Sequence, residues 1–155
     1  MTTDVRIYDN VVEVDVGVNT AAHAANDVVC QPVEVPLITN VHGCVVVTSI
    51  VVTDYDDQGA ALDVVFLREP VTVGANNATM SIPDSQVQHV LGSVSVAATD
   101  YLNLATNQVA TVRNVGLVLK PDPSTPTSVW MALRTTGTPT YAGGKLTLKF
   151  GGLRG

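Results

Sequence analysis

A chain of 155 residues fits one domain and is long enough to bury most of the surface that its unfolded form exposes. Hydrophobic residues make up 46% and charged residues 14%, which excludes an intrinsically disordered chain. Fourteen acids against eight bases give a net charge of −6 with no basic cluster, so nucleic acid and anionic membrane lack the electrostatic footprint that either partner would require.

The chain opens MTTDVRIYDN, with neither a basic leader nor an apolar stretch behind it, and reads as a protein made in the cytoplasm. Met1 to Tyr8 is expected to be an extended arm ahead of a single domain spanning 1–155. Valine, at 29 residues, is the commonest residue and sets the pattern. Val12, Val14, Val16 and Val18 alternate with Glu13, Asp15 and Gly17, which predicts a strand with valine on one face and carboxylates on the other. Further strands are predicted at Val28 to Val35, Gly43 to Thr53, Leu62 to Arg68, Val90 to Ala97, Val109 to Lys120, Ser128 to Thr135 and Lys145 to Phe150. Turn signals separate them: Asp54 to Gly59, Val73 to Asn77, Pro121 to Pro126, Gly137 to Pro139 and the Gly143-Gly144 pair. One short connecting helix is predicted over Ser81 to Leu91, from Ser81 and Asp84 as a capping box, Pro83 in the first turn and Gly92 at the stop. The apolar runs, Cys44 to Val47 and Ile50 to Val52 the longest among them, fall far short of a membrane span. The expected architecture is an all-β, two-sheet sandwich, a jelly roll first and an immunoglobulin-like arrangement second.

Reactive constellations are sparse. No G-x-S-x-G, Walker A or G-x-G-x-x-G occurs, so no nucleophile elbow or phosphate cradle is expected. The spacing of His23, Cys30, His42 and Cys44 lacks the C-x-x-C or H-x-H pairs that place two metal ligands together on a hairpin. They read as core residues, and the two cysteines as small thiols in strands. Asp54, Asp56, Gln58 and Gly59 imitate the first half of a calcium loop, but its twelfth position is Val65, so a solvated acidic turn is the preferred reading. Trp130, the one tryptophan, reads as a core or subunit-contact residue rather than a sugar platform. No cofactor, metal or catalytic residue is assigned.

Charge is divided along the chain. Residues 1–100 carry 13 acids and two bases, Arg6 and Arg68, whereas residues 101–155 carry one acid, Asp122, and six bases. The six are Arg113, Lys120, Arg134, Lys145, Lys149 and Arg154. Either the C-terminal strands lie beside acidic N-terminal ones and neutralise them, or one end of the domain is basic and docks on an acidic partner.

From Ser49 to the C-terminus the chain resembles a family of small structural proteins of tailed bacteriophages. The segments that carry the likeness are DDQGAALD, N-A-x-x-S-I-x-D, A-x-D-Y at Ala98 to Tyr101, V-A-T-x-R-N-V-G-L-V at Val109 to Val118, and G-T-P-T-Y at Gly137 to Tyr141. The resemblance covers about two-thirds of the chain and implies a capsid decoration or cement protein. Such a protein is a non-enzymatic β-sandwich on the outside of the virion head, bridging copies of the major capsid protein. It also implies a homodimer or homotrimer on a local symmetry axis of the shell. The six basic residues and Met1 to Tyr8 are then the expected capsid contacts, and charge reversal at Arg134 or Lys149 is expected to weaken attachment most at low salt. The apolar faces of Val45 to Val52 and Val112 to Leu119 are expected to be core, so that Val118→Asp would abolish folding. The alternative reading is a tail or fibre module for host recognition with a jelly-roll fold.

Overall fold

The computed structural model describes residues 3–8, 10–37, 43–124 and 127–154. Its strands are β1 (Asp4–Tyr8), β2 (Val11–Gly17), β3 (Val28–Val35), β4 (Val45–Asp54), β5 (Leu62–Leu67), β6 (Val90–Val96), β7 (Tyr101–Asn103), β8 (Gln108–Leu119), β9 (Val129–Thr135) and β10 (Lys145–Arg154). They make two sheets, one in the order β1-β2-β10-β4-β8-β7 and one in the order β3-β9-β5-β6. Every pairing between these strands is antiparallel. With the edge strands β1 and β7 set aside, the first, eighth, third and sixth of the remaining strands form one sheet and the second, seventh, fourth and fifth the other. That is the double Greek-key order of a jelly roll.

The core follows from the period-two valine pattern. Val12, Val14 and Val16 of β2, Ile50 and Val52 of β4, and Leu146, Leu148 and Phe150 of β10 point inward from the six-stranded sheet. They meet Leu62, Val64 and Phe66 of β5 and Met131 and Leu133 of β9. Phe66 and Phe150 lock the two layers edge to face, with ring centroids 5.7 Å apart.

A second, smaller core lies outside the four-stranded sheet. Leu67, Val71, Val73 and Ala132 are buried there, with Met80, Ile82, Val90 and Trp130 packed against them. The connection between β5 and β6 therefore folds back over its own sheet and covers it. This is why Ser81 to Leu91 does not form the expected helix. Met80 and Ile82 are drawn onto the sheet in non-helical backbone, and only Val87–His89 closes a single 3-10 turn, with Gln86 and Val87 N–H donating to the Pro83 carbonyl. The capping signals were local, and packing of the apolar residues overrides them.

The expected N-terminal arm is also corrected over its described part. Asp4–Tyr8 pairs along β2, from Asp4 opposite Asp15 to Tyr8 opposite Val11, and becomes the edge of the six-stranded sheet. Val118 is the third correction. Left-handed backbone at Asn114 (φ 56°) and Gly116 (φ 67°) interrupts the alternation of β8, and Val118 lies 58% exposed while Leu119 is buried. The strand is where the periodicity puts it; the face is reversed at its far end.

Candidate docking surface

The residue groups with chemical potential are absorbed into the fold. Asp54 is fully buried, and its carboxylate accepts hydrogen bonds from the backbone N–H of Asp56 (2.9 Å), Gln58 (2.8 Å) and Gly59 (2.7 Å). Oxygens turned onto N–H donors are not available to a cation. The turn is also tied across the domain: Gln58 Oε1 accepts from Thr140 N–H and Asp56 Oδ1 from Gly143 N–H. The DDQGAALD and GTPTY segments thus meet and brace each other.

His23 is 3% exposed, packs its ring 6.0 Å from that of Tyr141, and has Nε2 at 3.3 Å from the Asn19 carbonyl. Cys30 and Cys44 are free thiols, and burial pushes the Cys30 thiol up to about 12, leaving it unreactive at neutral pH. His42 lies outside the described residues. Among those described, no group of three or more His, Cys, Asp and Glu could hold a metal, and no helix is long and apolar enough to cross a membrane.

The structure separates the six basic residues into two kinds. Arg134 stands directly opposite Asp63 across the β9/β5 pair, and its Nε donates to the carboxylate at 3.0 Å. Lys145 reaches Asp15 at 3.5 Å and sits 4.8 Å from the centre of the Tyr55 ring. Lys149 lies 3.9 Å from Glu13, its cross-strand neighbour. These three therefore neutralise acids of their own sheets. Arg113 and Lys120 are exposed and have no ion-pair partner among the described residues. Arg154 ends β10 opposite Val45, with its side chain outside the described residues. Arg134→Glu is accordingly expected to cost about 1 kcal/mol of folding stability by setting two carboxylates face to face. Chemical denaturation of the variant checks this, and charge reversal for attachment belongs at Arg113 and Lys120.

The outer face of the six-stranded sheet has two zones. In one, Arg6 Nε donates to Glu13 at 3.1 Å and its guanidinium also meets Asp15 at 2.9 Å. Thr147 Oγ1 donates to Asp15 at 2.6 Å and lies 3.0 Å from the Tyr55 hydroxyl. Burial alone would raise the Asp15 carboxyl, but the hydrogen bonds from Thr147 and Arg6 and the charges of Lys145 and Arg6 outweigh it and hold the group below its usual value. A carboxyl depressed on folding adds stability that is complete above its unfolded value of about 3.9 and is lost as the pH falls through the folded one. Urea midpoints are therefore expected to be level above about pH 5 and to fall as the pH drops below about 4, and Asp15→Asn to flatten that slope.

The other zone is apolar. Leu153, Val46 and Val118 lie side by side on β10, β4 and β8, and Leu153 and Val118 are 64% and 58% exposed. The next row runs Tyr8, Val11, Gly151, Ser49 and Arg113 across five strands, with Tyr8 57% exposed. Two glycines let β10 and β4 close up here, since a Cβ at Gly151 would meet the Ser49 hydroxyl and one at Gly152 would meet the Val45 side chain. The four-stranded sheet buries its outer apolar residues under its own loop, and this face does not. Sequence reading missed Val46, Val118 and Leu153, because nothing in residue type alone places the bulge at Gly151/Gly152 or the turn of β8 at Asn114.

Set against known proteins, the chain matches no family model and no curated sequence.

Proposed function

We propose that this chain is a non-enzymatic structural protein of a tailed-phage virion, bound to the outside of the head and bridging copies of the major capsid protein. The observation that carries this reading is the open apolar zone of Val46, Val118, Leu153, Tyr8 and Val11 on a broad, stiff sheet, with the unpaired Arg113 at its margin. Neighbouring exposed apolar side chains at a polar rim mark interaction sites. The jelly roll supports the reading as a scaffold used in capsids, though the same fold also serves lectins and enzymes. The likeness of Ser49 to the C-terminus to phage cement proteins supplies the partner.

Attachment works by surface and number in this account. Each copy contributes a modest apolar contact, and the repeated shell multiplies it when one assembly of this protein touches several capsid subunits. Basic Arg113 and Lys120 orient the approach to an acidic exterior. No metal, cofactor, nucleic acid or membrane has a part in it.

The test is to mix the purified chain with phage heads that lack it, sediment them and count bound copies. Saturation at a fixed ratio to capsid subunits, with heads more resistant to heat, is the expected result. Binding to host cells or glycan but not to heads would overturn it and make the chain a tail or fibre module.

A further inference from the structure

We propose that β1 is an assembly edge at which two copies of this chain join their six-stranded sheets, strand against antiparallel strand, about a two-fold axis at Val5.

β1 pairs with β2 along one side, and among the described residues no strand pairs with its other side. The remaining edges are protected. β3 carries Pro32 and two register breaks, β6 lies over Leu117 of the opposite sheet, β7 has three residues, and the stretch of β8 beyond β7 is broken by left-handed backbone at Asn114 and Gly116. β1 has neither proline nor bulge, and it overhangs the four-stranded sheet, so Val5 and Ile7 on its inner face remain 36% and 57% exposed. Beneath it, Thr3, Val5, Val33, Glu34 and Pro36 line an open groove between the two sheets.

The sequence of β1 selects a second copy as the occupant, and it selects the register. Asp4 and Arg6 face outward with Glu13 and Asp15, and Val5 and Ile7 face inward. Antiparallel partners share a face, so a pairing that matches inner to inner keeps the four apolar side chains of two copies together. Four such pairings overlap at least three described residues, centred on Asp4, Val5, Arg6 or Ile7, and the last sets Arg6 opposite Tyr8 and matches no base to an acid. Centred on Arg6, it sets Arg6 against itself; centred on Asp4, it sets two carboxylates together; both are unfavourable. Centred on Val5, it places Asp4 of each copy opposite Arg6 of the other and Val5 opposite Val5. It also brings Ile7 opposite Thr3 of the other copy, at the mouth of the groove, where its exposed side chain is covered. Charge, apolar continuity and groove shape all favour this one register.

Sedimentation velocity of the full chain is expected to show a species at twice the 16.2 kDa chain mass. Ile7→Glu, at an exposed position, is expected to return it to single mass while the chain still unfolds in one cooperative transition. Val5→Cys in a Cys44→Ser background is expected to cross-link into a dimer under mild oxidant, because cross-strand partners hold their Cβ atoms about 5 Å apart. Ile7→Cys in that background is not. A chain of single mass throughout, or a dimer that survives Ile7→Glu and cross-links no better through position 5 than through position 7, overturns the proposal. The inference rests on the strand edge alone, so head binding by a single-mass chain would overturn it and leave the proposed function standing.

Discussion

Asp54→Ala is expected to remove about 3 to 5 kcal/mol of folding stability, out of the 5 to 15 kcal/mol typical of a domain. The residue is fully buried, and three backbone N–H groups point at its two oxygens. A hydrogen bond to a charged group is worth roughly 1.5 to 3 kcal/mol, and losing the acceptor also leaves a buried donor unpaired. The sum is discounted because Gln58 is exposed and its N–H can turn to water. The loss spreads further, since the same turn holds the Thr140 to Gly143 loop through Gln58 and Asp56. Asp54→Asn is expected to fall between the wild type and Ala, as one amide oxygen can still accept. Urea denaturation of the three proteins checks the order. A destabilisation under about 1 kcal/mol for Asp54→Ala would show that the turn does not depend on this carboxylate.

The second large effect concerns attachment. Val118→Asp combined with Leu153→Asp is expected to leave the fold intact, because both side chains are more than half exposed. Head binding is expected to weaken on the order of 100-fold or more, since truncating a buried anchor costs about 2 kcal/mol and here a charge is buried in its place. The two residues flank Val46 in one row across three strands, so they act on a single contact. A variant that loses its fold instead would return Val118 to the core, as the alternation of β8 alone suggests.

These effects mark how far the residues reveal the structure. β3 appears with the bounds that its valines predict, Val28–Val35, and β2, β5, β6 and β9 differ by a residue or so at an end. Strong alternation and clear turn residues make such elements local facts. The strand order was less accessible, because β10 inserts between β2 and β4 through contacts about ninety or more residues apart. β1 hides in a run, DVRIY, whose strand character depends on Arg6 finding Glu13 and Asp15 across the pair.

The site was legible in part. The acidic stripe of β2 and the basic residues of β10 could be read from the chain, and the structure brings them together as neighbours that satisfy each other. What remains for a partner is the apolar end of the same sheet, and that follows from left-handed residues in β8 and a two-glycine bulge in β10. Both turn side chains to the opposite face without changing the composition of the strand.

The most direct measurement is a competition. Equal amounts of the wild-type chain and the Val118→Asp, Leu153→Asp variant are mixed with limiting phage heads, the heads are sedimented, and the two forms in the pellet are counted by mass spectrometry. An open apolar zone that docks on the shell predicts a pellet made almost wholly of wild-type chain. Equal amounts of the two in the pellet, or neither, would contradict it.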